Sequence, residues 1–133
     1  MKKIALAFVL AAVVCTALIS CKKSQAATEP ILSVETTPAN KSNNLNVLGP
    51  DFPVRVEITS GMPANGVRID ITANTEGAAM PFFTSSTTHT EAPQNNYIIT
   101  GTPDGVTCVV SIMVTSLTKT SNVWKGEYRY SKK

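Results

Sequence analysis

The chain has 133 residues, of which 43% are hydrophobic and 16% charged, with a formal net charge of +3. Lys2 and Lys3 belong to an N-terminal leader. Without residues 1–20 the twelve basic residues become ten against nine acidic ones, a net charge of +1. The other lysines and arginines are scattered, and nucleic-acid binding needs a clustered basic face, so that partner is excluded.

Residues 4–19 carry no charge and are almost all apolar. A positive start, an apolar middle and a small-residue exit make a secretory signal. A membrane-crossing helix needs about 20 apolar residues, and this run has 16 before Ser20, Cys21, Lys22 and Lys23. Leu18-Ile19-Ser20-Cys21 resembles the lipobox of bacterial lipoproteins. The resemblance implies cleavage between Ser20 and Cys21 and a diacylglyceryl thioether on Cys21. It also implies acylation of the new amine, commonly with palmitate. One acyl chain holds a protein weakly, while two or more hold it stably. Cys15 is discarded with the leader and Cys108 is left alone, so no disulfide forms within the exported chain. A domain of about 100 residues must then rest on its apolar core.

Residues 21–30 read as the lipidated cysteine and a polar tether. Nine extended residues reach roughly 30 Å. Lysine after the lipidated cysteine favours the outer membrane, by resemblance to enterobacterial sorting. From residue 31 onward Thr, Ser, Val and Ile dominate, broken by Pro and Gly. Leu32, Val34 and Thr36 predict a first strand, residues 38–44 a loop, and Leu45 with Val47 a short second piece. Val54, Val56 and Ile58 alternate with Arg55, Glu57 and Thr59, the pattern of a half-buried strand. Val67, Ile69 and Ile71 alternate with Arg68, Asp70 and Thr72. The intervening Asn65-Gly66 favours a turn, so the two strands are expected to form a hairpin with their charges on one exposed face.

Pro81 marks an edge strand or strand start near residues 80–88. Tyr97, Ile98 and Ile99 predict another strand. Residues 106–115 form the longest apolar strand, with Val106, Cys108, Val110, Ile112 and Val114 on one face, and are expected to be central. The last strand places Trp124, Tyr128 and Tyr130 on one side and Lys125, Glu127 and Arg129 on the other.

Seven or eight short strands with frequent turn signals imply an all-β, antiparallel β-sandwich. Residues 31–133 resemble the immunoglobulin-like modules of small bacterial lipoproteins in strand count, spacing and the Trp124-x-Gly126-x-Tyr128-x-Tyr130 strand. The antibody pattern of paired cysteines around a tryptophan is absent. The expected organisation is a signal peptide (1–20), a lipidated tether (21–30) and an immunoglobulin-like domain (31–133).

No residue set supports catalysis. His89 is the only histidine. Metal sites usually need three or four ligands, so it reads as a solvated loop residue. No Gly-x-Ser-x-Gly elbow, calcium loop or phosphate loop occurs. No metal or cofactor is expected. Cys108, on an apolar face, reads as a small core hydrophobe. Trp124, Tyr128 and Tyr130 read as core, with an aromatic ligand platform as the competing reading. The expected function is a non-enzymatic, lipid-anchored binding or adhesion module of the cell envelope. Its partners are the membrane, through Cys21, and an envelope protein or extracellular ligand. The alternative is an accessory or structural subunit of an envelope assembly.

Overall fold

Alternating apolar and polar positions give a strand one face to bury. The computed structural model describes residues 28–133, where this pattern becomes eight strands and no helix. They are β1 (Val34–Thr37), β2 (Asn43–Val47), β3 (Phe52–Ile58), β4 (Val67–Thr75), β5 (Phe83–Thr90), β6 (Gln94–Ile99), β7 (Thr107–Ser116) and β8 (Val123–Lys132). The expected cleavage point at Ser20 and lipid site at Cys21 lie outside the described residues, as do residues 22–27 of the expected tether.

The strands form a three-stranded sheet, β1-β3-β6, and a five-stranded sheet, β2-β8-β7-β4-β5. Stacked face to face around one apolar core, the two sheets make a β-sandwich. β5 joins the second sheet at one edge and β2 joins it at the other. Every strand pairing is antiparallel except β2 with β8, which is parallel. The chain leaves β1 at Pro38, crosses to the other sheet, and runs beside β8 in the same direction. Residues 38–44 are therefore only partly loop, since β2 begins at Asn43.

The expected hairpin between the strands at residues 54–58 and 67–71 does not form. β3 pairs with β1 and β6, while β4 pairs with β5 and β7. Their connection passes between the sheets. Alternation tells which face of a strand is buried, and says nothing about which sheet it joins. The turn itself is present: the Gly66 amide donates to the Pro63 carbonyl at 2.9 Å. Gly66 has φ +75, and a Cβ there would meet the Thr90 carbonyl oxygen at 2.6 Å. The predicted four-residue charge cluster is correspondingly split. Arg55 pairs with Glu57 on the small sheet and Arg68 with Asp70 on the large one.

The core lies between the sheets. β3 contributes Phe52, Val54, Val56 and Ile58, and β4 contributes Val67, Ile69, Ile71 and Ala73. β7, central as expected, buries Cys108, Val110, Ile112 and Val114. Val106 precedes the strand and is exposed. Asn122, in the β7–β8 loop, fixes the chain where it joins the fold. Its Oδ1 accepts from the Leu32 amide at 3.0 Å, and its Nδ2 donates to Glu29 Oε1 and to the Pro30 carbonyl.

Candidate functional site

The aromatic row on β8 is spent on packing. Tyr128 and Tyr130 are each 2% exposed. Tyr130 packs against Phe52 with ring centroids 4.7 Å apart, and its hydroxyl shares a 2.6 Å hydrogen bond with buried Thr102. Burial pushes the Tyr130 phenol up to about 12, against the opposing hydrogen bond from Thr102, with a still smaller upward contribution from Cys108. Trp124 points to the same side and packs on the core while half-buried. Its ring lies across Gly126, where a Cβ would stand 2.9 Å from both Cζ2 and Cζ3. The gap in the aromatic row is the space that the indole fills, so no flat aromatic platform faces solvent.

Cys108 is fully buried, and burial pushes its thiol up, away from the reactive thiolate. His89 is exposed near the end of β5 rather than in a loop, with Nε2 3.5 Å from Glu91 Oε1. Among the described residues no group of three His, Cys, Asp or Glu side chains is placed to hold a metal ion.

The recess that sequence reasoning missed lies on the outer face of the five-stranded sheet. Ladder register aligns Asp70, Met113 and Lys125 in one row across β4, β7 and β8, and Thr72, Ser111 and Glu127 in the next. Short side chains at Thr72 and Ser111 leave a hollow of about 520 Å³ beside Met113. Asn40 and Lys41 wall it at the β8 edge. The Lys41 amide donates to the Glu127 carbonyl at 2.6 Å, and Asn40 Oδ1 accepts from the Glu127 amide at 3.0 Å.

The charges in this groove are unequally engaged. Asp70 lies 2.9 Å from Arg68 Nε and accepts from Ser86 Oγ at 2.6 Å. Glu127 lies 3.6 Å from Arg129 Nη1, and Arg129 also reaches Glu76. Lys41 and Lys125 have no ion-pair partner among the described residues. The groove thus combines two unpaired ammonium groups, two carboxylates held by arginines, hydroxyls and the Met113 side chain, a set suited to recognition by hydrogen bonding. Alternation exposes these positions in the sequence, but only the register between distant strands assembles them.

No protein-family model matches the chain, and no curated protein matches it.

Proposed function

We propose that the chain is a non-enzymatic binding module of the cell envelope, anchored through lipid on Cys21, and that it meets its ligand at the outer groove of the five-stranded sheet. The observation that carries the reading is that groove, open to solvent and lined by Asp70, Thr72, Ser111, Lys125 and Glu127 around Met113. The lipobox resemblance supports the anchor, and Lys22 after Cys21, by resemblance to enterobacterial sorting, supports an outer-membrane location. The unpaired lysines favour a ligand carrying carboxylate or other anionic groups alongside hydroxyls, such as an acidic glycan.

The test is binding of the detergent-solubilised chain to a panel of acidic and neutral glycans, with Ser111→Trp and Lys125→Glu variants beside it. Acidic-glycan binding lost in both variants is expected. Binding unaffected by either variant, or no binding to any member, would overturn the groove assignment. A second reading, a subunit of an envelope assembly, draws on the end of the sandwich away from Glu29. Leu48 and Met80 are 77% and 81% exposed there. Recovery of one stoichiometric envelope protein with the solubilised chain, lost in a Leu48→Ser, Met80→Ser variant, would favour it.

A further inference from the structure

An edge strand offers unpaired backbone donors and acceptors, and proteins usually blunt it by shortness, charge, proline or irregularity. Two edges of this sandwich follow that rule. β1 has four residues and carries Glu35, and Pro38 follows it. β2 has five residues, an irregular ladder between Asn44 and Val47, and Asn46 at φ 56. The other two edges are blunted less, β5 only by one ladder irregularity at its Thr90 end. β5 (Phe83–Thr90) has eight residues and β6 (Gln94–Ile99) has six, and neither contains Lys, Arg, Asp, Glu or Pro. No strand among the described residues pairs with their outer sides. The two lie over one another on the same flank, since the Thr87 and Tyr97 hydroxyls share a 2.9 Å hydrogen bond across the sandwich.

From this placement we infer that the β5–β6 flank docks a second copy of this chain. Antiparallel pairing of β5 with its own copy sets serine and threonine against serine and threonine, with no like charges opposed. A two-fold axis normal to the sheets satisfies both partners with the same surface. The same axis brings β6 beside β6 of the copy, because the two edges share one flank. The irregularity in the β4–β5 ladder lies between Val67 and Ile69, toward the Thr90 end of β5. The stretch from Phe83 to Thr87 is the regular part, and a two-fold axis at its outward-facing Ser86 sets Ser86 against itself and Ser85 against Thr87. Ile98, on the outer face of β6, is exposed.

The experiment introduces cysteine singly at the exposed positions Thr84, Ser86 and Thr88 in the full chain, in membranes. Mild oxidation is followed by a non-reducing gel. The wild-type chain and Thr37→Cys, on the opposite flank, are the controls. A homodimer band from at least one β5 variant, absent from both controls, is expected. Adding Lys at the two neighbouring exposed positions should reduce that band at least fivefold. These lysines lie on solvent-facing positions, so the fold survives them, and unchanged far-UV circular dichroism checks this. Monomer from all three variants, dimer from Thr37→Cys as well, or cross-linking to a different protein would each overturn the inference.

Discussion

Gly126 and Trp124 form a pair whose meaning depends on both. In an open strand position, replacing Gly by Ala usually helps, since glycine weakens a strand interior. Here the indole occupies the space above Gly126. Gly126→Ala should therefore destabilise by about 1–3 kcal/mol, the usual range for overpacking. In a Trp124→Ala background the same change should become neutral or stabilising. A double-mutant cycle by chemical denaturation measures the coupling, and additive effects would show that the ring does not lie there. Tyr130 sets a different dependence. Its phenol rises from an ordinary 10 to about 12 in the folded state, so the folded state holds the proton more tightly. Stability from this group is fully present below pH 10 and is lost as pH rises toward 12. The loss is roughly 3 kcal/mol, at about 1.4 kcal/mol per pH unit. Thr102→Val should remove the hydroxyl contact. Tyrosinate absorbance should rise together with unfolding, and smooth ionisation of the native fold would contradict the burial argument.

Among the elements, β7 and β8 were the most legible. A long apolar strand rich in β-branched residues needs cover on both sides, which puts Val110, Ile112 and Val114 in the middle of a sheet. Lys125, Glu127 and Arg129 likewise mark the wet face of β8 and leave Tyr128 and Tyr130 for the core. What stayed hidden was long-range pairing. β3 and β4 share one pattern because both bury one face, and nothing local to either assigns them to different sheets. The short piece at Leu45 and Val47 was legible as β2, but its parallel pairing was hidden because its partner lies some 85 residues away, as in the Asn46 amide bond to Ser131 Oγ. The groove was hidden for the same reason, since it exists only where Ser111 falls between Thr72 and Glu127. Asn122 carries an element-scale consequence. Its amide holds residues 29–32 through partly buried hydrogen bonds, so Asn122→Ala should cost about 1–1.5 kcal/mol of local stability, the usual net worth of such bonds. Hydrogen exchange at the Leu32 amide should accelerate at least tenfold while β7 amides stay protected. Equal acceleration in β7 would mean that Asn122 supports the whole fold.

At the scale of the molecule, the chain joins the sandwich at the end that holds the β3–β4 and β7–β8 loops. Strands of up to ten residues separate this end from Leu48 and Met80, a span of roughly 30 Å. A lipid on Cys21 would tether the Glu29 end and leave the groove on the flank and the apolar loops at the far tip. Display at a membrane is thus the claim on which the proposed function rests. The measurement that tests it most directly is the intact mass and N-terminal sequence of the chain extracted from membranes by detergent. The expected result is a chain beginning at Cys21 whose added mass matches a diacylglyceryl thioether and an N-acyl group, and a Cys21→Ala chain that stays uncut and unlabelled by a fatty-acid probe. A chain that begins elsewhere, or that begins at Cys21 with a bare thiol, would contradict it.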